Sequence, residues 1–158
     1  MNKSQLHALI IEKLQADLVI AKSALQASHE AATHAESKAE NKYDTRGLEA
    51  AYLADGQRRR VHEIEAAISG FRNLPVRTHL NEAISVGALI ELDGEEGRRW
   101  VFLGPDAAGL QILIDDALVV LISTRSPLGH ALLGLSEGDE LKITVASRLQ
   151  QFSILSVL

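Results

Sequence analysis

The residues of this sequence best suited to chemistry fall in one polar stretch, Glu36 to Glu49, reading ESKAENKYDTRGLE. Glu36, Glu40 and Asp44 are its candidate carboxylates. Such groups hold a cation and orient water, as two-metal phosphodiester hydrolysis requires with its ions roughly 3.5–4 Å apart. Magnesium, however, keeps several waters and draws its ligands from more than one source. A pair of side chains cannot complete that shell, so the chain is expected to bind no cofactor alone and to have no catalytic residue of its own. Any activity must be completed by a partner. The plain alternative is a solvated helical loop, because Lys38, Lys42 and Arg46 interleave with the acids and roughly neutralise them.

The elements on either side decide where this stretch sits. Before it, Leu14, Leu18, Ala21, Leu25, Ser28, Ala32, Ala35 and Ala39 alternate spacings of four and three, the coiled-coil seam period. After it, Gly47, Ala50, Ala54, Gln57, Val61, Ile64, Ile68 and Phe71 repeat that alternation. Residues facing each other across an antiparallel hairpin have position numbers with a constant sum. Leu14 with Phe71, Leu18 with Ile68, Ala21 with Ile64, Leu25 with Val61, Ala32 with Ala54 and Ala39 with Gly47 all sum to 85 or 86. The hairpin is therefore centred at Tyr43, inside the acidic stretch. Its seam thins from Leu, Ile and Phe to Ala and Gly, and a polar layer of Ser28 and Gln57 specifies register. Some 28 residues at ~1.5 Å each make an arm of about 40 Å, narrow enough to enter a channel.

Asn73-Leu74-Pro75 ends the second helix, since the residue before proline avoids helical dihedrals. The sequence thus divides into an arm over 1–75 with its tip near Tyr43, a linker over 76–85 with room for a short strand, and a body over 86–158. In the body, short β-type runs at Val86–Leu92, Arg98–Leu103, Leu110–Ile114, Leu118–Ser123, Asp139–Val145 and Gln151–Val157 are separated by turn residues such as Asp93-Gly94, Gly104-Pro105 and Glu137-Gly138-Asp139. Ser126-Pro127 supplies an N-cap with proline at the first helical position, and Gly134 closes that helix. Leu132 and Leu133 are expected to pack it onto the sheet. The fold class is α+β: an antiparallel coiled-coil hairpin, then a small antiparallel sheet with one short helix.

Composition limits the function. A net charge of −5 gives the chain no basic field for gripping nucleic acid, so another protein should make any direct contact with it. The absence of cysteine removes disulfides, thiolate catalysis and Cys-based zinc sites. No apolar run is long enough for a signal-peptide core or a membrane span, which makes a soluble cytoplasmic protein the expectation.

The order of these parts, with KAEN, YD and GLEAAYLADGQRRRVHEIEAAI before the linker and SPLGHALLGLSEGDEL late in the chain, resembles the Gre family of bacterial transcription elongation factors over nearly the whole sequence. That resemblance implies an arm inserted into the secondary channel of RNA polymerase and an FKBP-like body docked at the channel entrance. In cleaving members, acidic tip residues help to hold a second magnesium ion and water for hydrolysis of backtracked RNA. It also implies that Glu40 and Asp44 share such an ion with the polymerase, with Glu36 beside them, and that contact with nascent RNA is indirect. Glu40-Asn41 matches the Glu-Asn step of the family's Gly-Asp-x-x-Glu-Asn tip, but Ser37 stands at the aspartate spacing. Tyr43 to Ala51 looks more like non-cleaving homologues that occupy the channel and inhibit. Docking is implied around Ser126, Pro127 and Leu128, where Arg125 replaces the acidic residue that cleaving members tend to carry.

Other residues carry less. Arg58, Arg59 and Arg60 occupy successive helical positions and spread around the helix; a solvated face is their plain reading, and transcript or channel-wall contact their functional one. His7, His34 and His62 read as surface residues, and His130 as a rim residue. Trp100, Phe102 and Phe152 are too few for the aromatic pocket of a prolyl isomerase. No membrane or small-molecule substrate is expected. The competing reading is a non-catalytic coiled-coil interaction or oligomerisation protein.

Overall fold

A computed structural model of the chain describes residues 1–37 and 45–158. The chain divides into two compact units, Glu12–Ser69 and Met1–Ile11 with Gly70–Leu158. The divisions differ from the sequence reading, because the first residues of the chain and the end of the second helix group with the body. Glu40, Asn41, Tyr43 and Asp44 lie outside the described residues.

Among the described residues, two helices, α1 (Lys3–Ser37) and α2 (Arg46–Asn73), supply the secondary structure of the first unit. Asn2 caps α1 by accepting the Gln5 amide at 3.0 Å. Within Glu12–Ser69 the seam positions Leu14, Ala21, Ser28 and Ala32 from α1, and Ala54, Val61, Ile64 and Ile68 from α2, are all at most 9% exposed, and Ala67 beside the seam is buried as well. Leu18, Leu25, Ala50 and Gln57 are half-buried. Ala21 and Ile64, paired by the constant sum, line one groove together. Beside them Lys22 and Glu65 bridge the helices at 3.6 Å.

The second unit is built on six strands: β1 (Leu89–Gly94), β2 (Gly97–Leu103), β3 (Gln111–Ile114), β4 (Ala117–Ile122), β5 (Glu140–Val145) and β6 (Arg148–Val157), in the spatial order β3-β4-β2-β1-β6-β5. A short helix, α3 (Pro127–Leu132), joins β4 to β5. Strand alternation gives the sheet two faces. On one, Ile90, Leu92, Val101, Leu103 and Ile154 form a core with Leu132 of α3. On the other, Phe102 meets Phe71 from the end of α2, ring centroids 6.3 Å apart.

One ladder departs from the expected antiparallel sheet. β2 pairs with β4 in parallel, Trp100 opposite Val119 and Leu103 opposite Ile122. After β2 the chain turns back through Gly104 to Leu110 and lays β3 two places away, and the β3–β4 hairpin then returns β4 into the gap. Gly94 also differs: it is the last residue of β1, not a turn residue. A Cβ there would come within 2.7 Å of the Phe152 ring, so glycine lets that ring lie across the strand.

Segment 76–85 contains no strand and is anchored to the body. Ile84 and His79 are 2% and 0% exposed. Ile84 exchanges main-chain hydrogen bonds with the segment after α3, donating to Leu135 at 2.7 Å and accepting from Gly134 at 2.9 Å.

Candidate functional site

The short helix α3 carries the residues expected to dock. Ser126 has extended backbone, φ −72° and ψ 150°, and caps the helix by accepting the Gly129 amide at 3.1 Å. Its hydroxyl donates to the Ser123 carbonyl at 2.7 Å, which ties the cap to the end of β4. Pro127 takes the first helical position, where its missing N–H has no cost. Gly129 allows the close approach: a Cβ there would stand 1.9 Å from the Ser123 oxygen. Arg125 and Pro127 are exposed and Ser126 half-exposed, whereas Leu128 is half-buried and packs with Ala131 against the core around Leu132. Leu133, expected to pack, is 39% exposed. After the helix, Asp139 accepts the Ser136 amide at 2.7 Å and closes the Glu137-Gly138-Asp139 turn.

The family described as transcription elongation factor, GreA/GreB, C-term, matches residues 81–158, which span this sheet and helix. Residues 81–158 thus carry a GreA/GreB C-terminal domain. Among curated relatives, transcription elongation factor GreA from Psychrobacter sp. (strain PRwf-1) is 36% identical over 103 residues, 63% of this chain and 61% of that protein. GreA from Nitratidesulfovibrio vulgaris is 32% identical over 101 residues, 62% of this chain and 59% of the relative. The chain thus spans about three fifths of the length of these relatives. Of solved structures, GreA factor homolog 1 from Thermus thermophilus aligns at 23% identity with a TM-score of 0.38, covering 94% of each chain.

The remaining candidates fall into separate places. Glu36 lies in the last turn of α1; Glu40 and Asp44, the paired carboxylates, lie outside the described residues. Among the described residues no cluster of His, Asp and Glu is placed to hold a metal ion. Arg58, Arg59 and Arg60 are exposed on α2, where Arg58 pairs with Asp55 and Arg60 with Glu63 at 3.7 Å. Two of the three charges are thus partly answered within the helix. Arg60 also borders a groove of about 390 Å³ with Asp17, Ile20 and Gln57.

His7 corrects the sequence reading. It is half-buried, and its Nε2 lies 2.6 Å from the Phe71 carbonyl. His62 is exposed as expected, and His130 is exposed on α3. Phe102 and Phe152 are both buried but have different neighbours, Phe71 for one and Arg99 for the other.

Sequence reasoning missed the polar chain in which buried His79 joins half-buried Lys3 and Ser85. Lys3 Nζ lies 2.9 Å from His79 Nδ1, and His79 Nε2 lies 3.0 Å from the Ser85 hydroxyl. Burial holds His79 below its ordinary value of 6.5, with the positive charges of Lys3 and Arg77 acting in the same direction. Lys3 is lowered to about 8, first by burial and then by Arg77. No local motif marks these residues.

Proposed function

We propose that this chain is a Gre-like regulator of bacterial transcription that binds RNA polymerase, with its α3 end docked and its hairpin tip inserted into the secondary channel. The observation that carries the reading is the GreA/GreB match over 81–158, which contains the Ser126-Pro127 cap and the Glu137-Gly138-Asp139 turn. The seam spacing of the sequence supports it, because its constant sum centres the hairpin at Tyr43, between Glu40 and Asp44. The family model leaves residues 1–80 unmatched, so the arm's role rests on the sequence resemblance.

In this reading the chain is not itself an enzyme. Glu40 and Asp44, with Glu36 nearby, contribute carboxylates to a magnesium site that the polymerase completes, because two side chains fall short of that ion's coordination shell. The ion, when bound, activates water and stabilises developing charge. Ser37 at the aspartate spacing favours channel occupation and inhibition over stimulated cleavage. Arg58, Arg59 and Arg60 contact channel walls or the transcript end, and Arg125, Ser126, Pro127 and Leu128 meet the polymerase. Such a role places the protein in the cytoplasm; among the described residues no helix is long and apolar enough to cross a membrane.

The deciding experiment incubates the protein with a backtracked elongation complex. Slowed extension without shortening of the RNA is the expected result, and shortened RNA identifies a cleavage factor instead. Absence of both effects and of polymerase binding overturns the proposal. A second reading, a self-associating coiled-coil protein, draws support from Val19 and Ile20, 70% and 67% exposed on α1. It requires that joint Glu40→Ala and Asp44→Ala substitution leave every readout unchanged.

A further inference from the structure

At the end of the sheet where the β1–β2 turn meets the start of β6, the second unit carries a cleft of about 60 Å³ bordered by Gly94, Glu95, Glu96, Arg99, Arg148 and Phe152. Arg99 lies over the Phe152 ring, its Cζ 4.3 Å from the centroid. Stacking of this kind fixes the plane of a guanidinium and leaves its N–H edges for acceptors in that plane. Phe152 is fixed in turn, being 6% exposed and lying so close over Gly94 that any side chain there would strike it. The Nε of Arg99 is buried and has no hydrogen-bond partner. A buried donor is ordinarily matched, and one left unmatched beside an open cleft marks a position for an acceptor. Among the described residues no ion pair engages Arg99 or Arg148.

We propose that this cleft is a carboxylate-binding site for an Asp or Glu side chain of a partner polypeptide, gripped by the fixed fork of Arg99 with Arg148 closing from β6. A guanidinium fork matches a planar carboxylate through two parallel hydrogen bonds. Phosphate is the weaker fit, because Glu95 and Glu96 on the rim repel its near-double charge more than a single one. Leu149 lines the same cleft and is 62% exposed. It offers apolar contact to the residue next to the acid, which a free small anion lacks. The site shares no residue with α3 or with the acidic stretch 36–49, so it stands whether or not the chain acts on a polymerase.

The test uses the full chain labelled with nitrogen-15 arginine and follows the Nε–Hε resonance of Arg99 by NMR. Acetyl-Asp-Leu-amide, its Asn counterpart and inorganic phosphate are titrated in turn. The Asp peptide should move the signal saturably and the Asn peptide should not. Arg99→Lys keeps the charge but not the fork, and should weaken the Asp peptide by about tenfold or more. Arg148→Gln alters an exposed side chain and should also weaken it with the amide spectrum otherwise unchanged, which keeps the test valid where Arg99→Lys disturbs folding. Equal response to the Asp and Asn peptides, or none, overturns the proposal and leaves a water-filled cleft. Tighter binding of phosphate than of the Asp peptide overturns the assignment to carboxylate.

Discussion

Lys3 holds its ammonium 2.9 Å from Nδ1 of His79 and 2.7 Å from the main-chain oxygen of Leu158, joining the start of α1 to the end of β6 through a fully buried imidazole. An ammonium only donates, so Nδ1 must accept and Nε2 must carry the proton given to Ser85. A second proton on His79 would turn Nδ1 into a donor facing a cation. Arg77 adds to the positive surroundings and Glu82 opposes them. Both bases are therefore lowered in the fold, and the unfolded chain binds more protons between each folded and unfolded value. By linkage, stability rises with pH there. It should fall as pH drops below 6.5 toward the lowered value of His79, and climb again between about 8 and 10.5 as Lys3 loses its proton. Thermal melts against pH check this: His79→Gln should flatten the acid limb and Lys3→Met the alkaline one, and unchanged limbs contradict the assignment.

Gly129→Ala should destabilise the second unit more than any other single methyl in α3. The added carbon would stand 1.9 Å from a main-chain oxygen that cannot move without disrupting the end of β4. A loss of about 3 kcal/mol is expected from such overpacking. Ser126→Ala removes the cap and the hydroxyl's bond to the Ser123 carbonyl without adding a clash, and should cost about 1 kcal/mol. Urea denaturation followed by Trp100 fluorescence measures both, and equal losses contradict the steric account.

Arg125→Asp reverses the charge just ahead of the serine-proline pair. Arg125 is exposed, so stability should stay within about 0.5 kcal/mol of the parent. Under the proposed docking, polymerase affinity should change by about tenfold or more, mostly through the association rate and with altered salt dependence. Unchanged affinity at low and high salt places the docking contact elsewhere.

The hairpin seam was legible because its period is written directly in leucine and alanine, and the burial of Ala21, Ser28, Ala54 and Val61 repeats it. The strands and the Ser126 cap were legible for the same local reason, since alternation and capping act within a few residues. The parallel β2–β4 ladder was not, because its direction is set by where β3 is laid. His79 was hidden more deeply: it reads as one histidine in a polar segment, and its partner Lys3 lies 76 positions away. Gly129 has an ordinary local context, and only the fold brings the Ser123 carbonyl against it. The tip carboxylates lie outside the described residues, so the sequence remains their whole basis.

The β5–β6 hairpin turns on Ala146 and Ser147, both at positive φ, +49° and +64°. Two left-handed residues in a two-residue loop make the turn that Asn-Gly favours. Alanine and serine adopt it against the Cβ–carbonyl clash that disfavours left-handed backbone. Joint Ala146→Asn and Ser147→Gly should therefore stabilise the second unit by about 1 kcal/mol.

Val61→Asp tests whether the two units melt as separate bodies. Val61 is 6% exposed at the seam of Glu12–Ser69, and a carboxylate there would be buried without a counter-charge. The cost should be about 3 kcal/mol or more, drawn from the helices alone. Far-UV circular dichroism should lose helical signal early in the melt, while methyl resonances of Ile90, Leu103 and Ile154 in the sheet core keep their dispersion to higher temperature. Arg59→Asp is the control, an acid two positions away at an exposed site, and should leave the helical melt within about 0.5 kcal/mol of the parent. A single transition in which Val61→Asp collapses helices and sheet together shows that the units fold as one. Loss of helix without loss of sheet shows that they melt as separate bodies.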